Sequence, residues 1–177
     1  MSVLVVYESM YGNTHAVAEA IAQGIGSEAD VRSVHEVGSL PADVDLLVVG
    51  GPTHMHGLSS GMSRKMSASA AKEDGRASVE PPATEGPGLR AWLHSLETAS
   101  GQAAAFDTRL DRSPHLTGSA ARGIARRLGH QGYTVAATAS FVVDDGEGPP
   151  ADGELDRARA WGTELGRLVS PKTGQGV

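Results

Sequence analysis

Residues 3–25 contain an apolar strand that runs directly into a short polar turn and an alanine-rich helix. Val3–Tyr7 is apolar throughout, which is typical of a strand buried on both faces of a parallel sheet. From Asn13 to about Gln23, apolar residues recur at helical spacing and predict a helix with one face toward the sheet. A buried strand followed at once by an amphipathic helix predicts an α/β fold.

The turn between this strand and helix predicts an anion site. It reads Ser9-Met10-Tyr11-Gly12-Asn13-Thr14. Its hydroxyl groups can donate hydrogen bonds, and its glycine lets the backbone approach an oxygen atom closely. The N–H groups of the first helical turn and the positive end of the helix dipole face the turn, so phosphate is the expected guest. The turn contains no Lys or Arg, which suits a monophosphate held by neutral donors. An ordinary turn with Thr14 or Asn13 as the helix N-cap is the alternative.

Other phosphate-binding and nucleophile motifs are excluded. The turn lacks the lysine of the G-x-x-x-x-G-K-[ST] pattern and the three glycines of the dinucleotide fingerprint. Gly61-Met62-Ser63 is no nucleophile elbow, because Lys65 stands where G-x-S-x-G requires a glycine. The sequence therefore predicts no hydrolase and no catalytic side chain.

Strands and helices continue to alternate along the chain. The further predicted strands are Ala29–Val34, Leu46–Val49, Ala103–Phe106 and Thr134–Val143. The predicted helices after the first, which ends around Gly24 and Gly26, are Leu89–Leu96, Thr117 or Gly118 to Leu128, and Asp152–Leu168. Five strands alternating with helices predict a parallel sheet covered on both faces.

The sequence also predicts core residues and one flexible segment. We expect Trp92 and Trp161 in the core, and one apolar face on the last helix formed by Leu155, Ala158, Trp161, Leu165 and Leu168. Residues 59–88 are rich in Ser, Ala, Gly and Pro and predict a flexible insertion, with a helix near Gly61 to Ala71. A lid over a bound cofactor and a simple surface insertion are both open interpretations of it.

Three segments carry a resemblance to a known family. Ser9-x-x-Gly12-x-Thr14 after the first strand resembles the phosphate loop of flavodoxins and related flavodoxin-domain proteins. The segment from Val44 to Gly57 resembles their third strand and the loop against the flavin ring. Ala103 to Arg109 is similar to their fourth strand and second ring-flanking loop.

This resemblance implies a fold, a cofactor and a set of contacts. The fold is a three-layer α/β sandwich with a five-stranded parallel sheet in order 2-1-3-4-5 and helices on both faces, spanning residues 1–170 before a disordered tail at 171–177. The implied cofactor is FMN, held noncovalently. The implied cofactor-binding residues are Ser9, Met10, Tyr11, Gly12, Asn13, Thr14, Pro52, Thr53, His54, Met55, His56, Gly57, Asp107, Thr108 and Arg109.

The ring site departs from the family pattern. Flavodoxins often place aromatic side chains over the flavin, whereas the first ring loop here offers Met55 between His54 and His56. The second ring loop, residues 107–117, contains no Phe, Tyr or Trp. The His-x-His pair has no third ligand in view, so we predict no metal site. One of these histidines near the flavin edge would make the reduced state sensitive to pH, which is a hypothesis from position alone.

Composition sets further limits. A chain of 177 residues suits one domain, and the absence of cysteine excludes disulfides and thiolate metal sites. The formal net charge of -6 argues against nucleic-acid binding. No apolar run is long enough to span a bilayer and no signal peptide is recognisable, so we expect a cytoplasmic protein without a membrane partner.

We therefore expect an FMN-binding electron-transfer protein that acts with a redox partner protein, either a reductase or an acceptor enzyme. One alternative is a flavin-dependent reductase of quinones or similar acceptors that oxidises NAD(P)H directly. The second is a flavodoxin-fold binding module that has no cofactor, which the missing ring aromatics keep open.

Overall fold

Five parallel strands form the centre of the molecule. The structure is a computed structural model that describes residues 2–27, 29–41, 43–54, 57–58, 88–111, 118–145 and 147–169, with only the backbone described for residues 54, 57 and 58. The strands are β1 (Val3–Tyr7), β2 (Ala29–Ser33), β3 (Leu46–His54), β4 (Gly57–Leu58), β5 (Gly101–Leu110) and β6 (Tyr133–Val143). The helices are α1 (Asn13–Ile25), α2 (Leu89–Ser95), α3 (Ala120–His130) and α4 (Glu154–Val169).

The order of strands in the sheet is β2-β1-β3-β5-β6, and all four neighbouring pairs are parallel. The two-residue strand β4 pairs antiparallel with the end of β3. Without β4, the order is 2-1-3-4-5, so the predicted α/β fold and sheet order are confirmed.

Helices cover both faces of the sheet, and together they bury both faces of strand β1. Its odd-numbered residues pack in a core with α1 and α4, whereas Leu4 and Val6 pack in a second core with α2 and α3. Trp92 of α2 is only 4% exposed, as predicted. Trp161 of α4 is partly buried and makes edge contacts with Phe106 and Phe141. The sheet and its two helical layers form the predicted three-layer sandwich.

Helices α1 and α4 pack with their backbones in close approach. A Cβ atom at Gly24 would overlap the carbonyl group of Arg159, and one at Gly162 would overlap that of Ile21. The hydroxyl of Thr163 donates to the carbonyl oxygen of Gly24 at 3.1 Å.

Gly24 was predicted to help end the first helix, but it lies inside α1. The helix ends at Gly26, which has a left-handed φ of 114°.

Strands β3 and β5 are longer than the sequence predicts. Polar or glycine-rich residues follow their apolar centres, but pairing between the two strands continues from Gly51 with Asp107 to Pro52 with Thr108. Backbone hydrogen bonding to neighbouring strands therefore holds these residues in extended structure without apolar side chains. The predicted ring-loop residues at these positions lie on strand ends instead of on loops.

The remaining differences are at helix ends and on the surface. Helix α3 begins at Ala120, later than predicted, because Ser119 is its N-cap and accepts a hydrogen bond from the N–H of Arg122 at 3.2 Å. Leu168 was predicted to share the apolar face of α4, but it is 57% exposed. The predicted helix near 61–71, the insertion and the tail lie outside the described residues, and the domain bounds stay a prediction.

The edge strand β6 is covered by the chain that leads into α4. The N–H of Val142 donates to Glu154 Oε2 at 2.6 Å, and the N–H of Ala151 donates to the Val142 carbonyl oxygen at 3.0 Å. Arg157 lies over the ring of Phe141 at 4.5 Å and pairs with Glu154. These contacts satisfy backbone groups that an open sheet edge would leave exposed.

We predict that Gly162→Ala destabilises the protein by about 1–3 kcal/mol, because the added methyl group would push α4 away from α1. The matched control is Gly129→Ala in α3, where a Cβ meets no atom within 4 Å. That change should be neutral or stabilise by up to about 1 kcal/mol through helix propensity. Urea unfolding monitored by circular dichroism measures both, and equal free energies for the two variants would contradict the close helix packing.

We also predict a pH-dependent contribution from Glu154. Burial raises its pKa, but hydrogen bonds from Arg157 and Val142 and the charges of Arg157 and Arg109 outweigh this, so its pKa lies below the ordinary 4.5. Its stabilising effect is therefore complete above the pKa of the unfolded chain and is lost as pH falls through the lower folded pKa. Glu154→Gln should destabilise the protein near pH 7, and the difference from wild type should shrink below about pH 4. Urea unfolding at several pH values tests this, and a pH-independent difference would contradict it.

Candidate functional site

The turn after β1 is held in shape by its own backbone and by β3. Gly12 has φ 85° and ψ -11°, a left-handed conformation that favours glycine. Ser9 Oγ accepts a hydrogen bond from the Gly12 N–H at 3.1 Å. The N–H of Glu8 donates to the Gly50 carbonyl oxygen at 3.0 Å, which ties the start of the turn to β3. These hydrogen bonds stabilise the shape of the turn.

The N-terminus of α1 has no side-chain cap. Its N-cap is Gly12, and neither Asn13 nor Thr14 caps the helix, so the alternative of an ordinary capped turn is wrong. The N–H groups of Asn13 and Thr14 have no acceptor among the described residues. Unpaired N–H groups at the positive end of a helix dipole attract an anion.

A buried pair of hydroxyl groups joins α1 to β5. The oxygens of Thr14 and Thr108 lie 2.8 Å apart, and the two residues are 2% and 4% exposed. Either hydroxyl can be the donor in this hydrogen bond. One bond uses only one of the two protons, so the pair keeps one further donor.

One cavity of about 220 Å³ lies where the strand ends meet this turn, and we call it the carboxyl-edge cavity. The turn, the end of β3 and the end of β5 all contribute to its wall. Its lining residues are Ser9, Met10, Tyr11, Asn13, Thr14, Pro52, Thr53, Thr108, Arg109, Leu110 and Val143. The structure thus brings together residues from all three segments singled out in the sequence, and their role as cofactor contacts stays a prediction.

Asp107 differs from its predicted place. Residues alternate between the faces of β5, so Phe106 packs toward α1 and α4, whereas Asp107 points toward α3. Its side chain is fully buried and does not line the cavity. The side chain of Asp107 has a structural role at the start of α3, and its predicted flavin contact stays a prediction.

That role is visible in a compact hydrogen-bond network. Asp107 Oδ2 accepts from the hydroxyls of Thr53 at 2.9 Å and Ser119 at 2.8 Å, and from the Ala121 N–H at 2.9 Å. Thr53 Oγ1 in turn accepts from the Ala120 N–H at 2.9 Å. Because Thr53 also lines the cavity, the network connects the cavity wall to the N-terminus of α3.

Arg109 is the one charged residue among the described lining residues of the cavity. It lines the same cavity as the turn after β1, although the sequence of that turn predicted neutral donors only. Its charge contributes to the lowered pKa of Glu154, which places Arg109 near the N-terminus of α4 as well.

Some predicted site residues fall outside this description. His54 ends β3 and pairs through its backbone with Gly57, but its side chain is not described. Met55 and His56 lie outside the described residues, so the hypothesis of a pH-sensitive histidine stays a prediction. The part of the chain that the structure describes contains no group of three or more potential metal ligands.

Comparisons with known proteins agree with this geometry. Residues 4–67, which include the anion-binding turn and the end of β3, match the flavodoxin domain family. A flavodoxin from the domain Archaea is similar at a TM-score of 0.62 and 20% identity, covering 96% of this chain and 99% of that chain. Flavodoxin 1 from Bacillus cereus has a TM-score of 0.62 at 16% identity, covering 96% and 100%. The chain has a flavodoxin-like α/β fold.

A further structural relative of the flavodoxin-like domain is a flavodoxin, WrbA-like protein from Agrobacterium tumefaciens. Its TM-score is 0.57 at 21% identity, covering 95% of this chain and 96% of that chain. Comparison with curated proteins gave no match. Within the described residues, no helix is both long and apolar enough to cross a membrane.

Two residues of the cavity wall were missed by the sequence analysis. Leu110 and Val143 are the last residues of β5 and β6 and pair with each other. Their positions at the ends of predicted strands could have revealed them, because the carboxyl ends of parallel strands meet at one edge of the sheet. With Met10, which is 2% exposed, they give the cavity of the flavodoxin-like domain its apolar wall.

We predict that Asp107→Ala destabilises the flavodoxin-like domain by about 3 kcal/mol, because it leaves buried donors without their acceptor. The matched control is Asp152→Ala, which removes an exposed carboxylate just before α4. Urea unfolding measures both free energies. A loss for Asp107→Ala no larger than for the control would show that the network does not hold the start of α3.

Proposed function

We propose that the flavodoxin-like domain binds FMN noncovalently and transfers electrons to or from a redox partner protein. The observation that carries this proposal is the uncapped N-terminus of α1, which opens into a cavity between the ends of β1, β3 and β5. In open sheets of this order, a mononucleotide binds at the carboxyl edge between the first and third strands. The flavodoxin names of the structural relatives support the choice of cofactor.

The residues present fit the phosphate end of FMN. The N–H groups of Asn13 and Thr14 would point to the phosphate, as helix N-termini do in other anion sites. The hydroxyl of Ser9 already accepts from Gly12, so its own proton is left for a ligand. Arg109, which also lines the cavity, would add a positive charge. A cavity of about 220 Å³ suits the phosphate and the adjoining part of the nucleotide.

The chain supplies binding and surroundings, and FMN, when bound, supplies the redox chemistry. Met10, Leu110 and Val143 present apolar surface and keep water from one wall of the cavity. The bond between Thr14 and Thr108 fixes α1 against β5, so the phosphate donors stay in place relative to the strand ends. Prearranged donors bind an anion without reordering the chain.

The first test is the visible absorption spectrum of the purified protein, before and after FMN is added and unbound flavin is separated. The proposal expects a retained flavin spectrum. A protein that stays colourless would overturn it and leave the cofactor-free binding module. Oxidation of NADH or NADPH by the purified flavoprotein with a quinone acceptor would favour the reductase instead of the carrier.

We predict that Thr14→Val weakens FMN binding about tenfold, since it removes a buried hydroxyl beside the anion-binding turn. Riboflavin, which lacks the phosphate, should bind wild type and variant with equal affinity. Fluorescence quenching titrations measure both ligands. Thr134→Val on the exposed side of β6 is the matched control and should change neither affinity.

We predict that Arg109→Gln lowers the affinity for FMN at least about fivefold while the affinity for riboflavin changes little, because the charge of Arg109 acts on the phosphate. The FMN affinity of wild type should also fall with salt more steeply than that of the variant. Arg159→Gln on α4 is the control with the same change in charge. Equal losses for FMN and riboflavin would place Arg109 at the ring instead of the phosphate.

A further inference from the structure

Helix α3 presents positive charge without any acidic residue. Its sequence is AARGIARRLGH, with three arginines and one histidine. Arg122, Arg126 and His130 follow one another at four-residue spacing, so they lie along one side of the helix, and all three are exposed. Arg127 lies beside this row and donates to the carbonyl oxygen of Gly123 at 3.0 Å.

Helix α2 extends this positive region. Partial burial and then repulsion from Arg90 and Arg126 lower the pKa of Arg127, so Arg90 of α2 lies close to the arginines of α3. Helix α2 also contains no acidic residue, and His94 is exposed one turn after Arg90. We call Arg90, Arg122, Arg126, Arg127 and His130 the basic surface.

The opposite helical layer is built differently. In α4, Arg157 pairs with Glu154 and Arg159 pairs with Asp156. Arg122 and Arg126 form no ion pair with any residue that the structure describes. One face of the sheet therefore carries mixed and internally paired charges, whereas the other carries a row of cations.

This row weakens the helix that carries it. Like charges four residues apart repel each other, and α3 contains no carboxylate to offset them. At the N-terminus of α3, Asp107 is buried and bonded to Ser119 and Ala121 instead of to arginine. A local feature that weakens its own helix points to a role outside the folded chain itself.

We propose that the basic surface docks a protein partner through a face rich in Asp and Glu. Four of the five residues of the basic surface are arginines, whose planar guanidinium groups pair well with carboxylates. Arginine is also enriched in protein interfaces, unlike lysine. Arg122 and His130 are about 12 Å apart along the helix, so a protein interface of standard size can cover the whole row.

Nucleic acid fits this surface less well. The chain has a formal net charge of -6 and a sequence pI of about 5.6, so at long range it repels a polyphosphate. A partner with one acidic face is instead attracted locally and can turn its other faces away. The proposal is independent of FMN. The first N–H groups of α3 are bonded to Thr53 and Asp107, so the docked partner would lie beside the cavity wall.

The test uses the whole chain with two probes of equal negative charge, an oligoglutamate peptide and a single-stranded oligothymidine. The test variant is Arg122→Gln/Arg126→Gln on α3. The control is Arg159→Gln/Arg167→Gln, which removes the same charge from exposed positions on α4. Binding is measured from shifts of amide resonances in a nitrogen–proton correlation spectrum, with peptide up to about 1 mM.

We expect the peptide to shift resonances of residues 120–130 in wild type and in the control variant. In the test variant the affinity should fall at least about fivefold. Raising the salt from about 0.01 M to about 0.15 M should weaken wild-type binding, because the screening length falls from about 30 Å to about 8 Å. The urea midpoint of the test variant should equal or exceed that of wild type, since repulsion within α3 is removed.

Four results would overturn the proposal. These are no shifts in α3 at the highest peptide concentration, equal loss of affinity in both variants, tighter binding of oligothymidine than of oligoglutamate, or self-association of wild type that the test variant abolishes. The third would assign the surface to nucleic acid, and the fourth to a second copy of this chain. None of them depends on whether the protein holds FMN, so failure here is separate from failure of the proposed function.

Discussion

The burial of β1 on both faces is the constraint on which the rest of the structure depends. Alternate residues of this strand enter two different cores, so one helical layer cannot bury the strand. Parallel neighbours require crossovers, and these crossovers supply α1 on one face and α2 and α3 on the other. Helix α4 follows the last strand and packs beside α1. The same arrangement directs the ends of β1, β3 and β5 to one edge of the sheet. The carboxyl-edge cavity is a consequence of this shared direction.

Two small polar connections position the cavity wall. The hydroxyl pair of Thr14 and Thr108 joins the anion-binding turn to β5 on one face of the sheet. On the other face, Asp107 and Thr53 hold the N-terminus of α3. Neighbouring residues of β5 therefore serve opposite helical layers. The N–H groups of Asn13 and Thr14 in α1 have no acceptor among the described residues, whereas side chains accept from the first N–H groups of α3. The proposed phosphate site rests on this contrast between two helix N-termini at one edge of the sheet.

The helical layers also differ in charge. Helix α4 compensates its arginines internally with Glu154 and Asp156, and Glu154 additionally holds the edge strand β6. Helices α2 and α3 contain no acidic residue, and Arg122 and Arg126 form no ion pair with any residue that the structure describes. A protein with a negative formal charge thus carries a positive face next to its cavity wall. Such an asymmetry of charge orients an approaching charged molecule before contact.

The resemblance to flavodoxins implied the sheet order. The sequence by itself determined the order of strands and helices and the uncharged turn after the first strand. These features follow from local periodicity and from residue types within short segments, such as apolar Val3–Tyr7 and the uncharged turn around Gly12. Only the tertiary structure decided how far β3 and β5 extend, because their polar ends are held by neighbouring strands. It also decided that Asp107 faces α3, that Leu168 is exposed, and that Leu110 and Val143 complete the cavity. Each of these depends on register or on the position of a distant element, which no local pattern in the chain encodes.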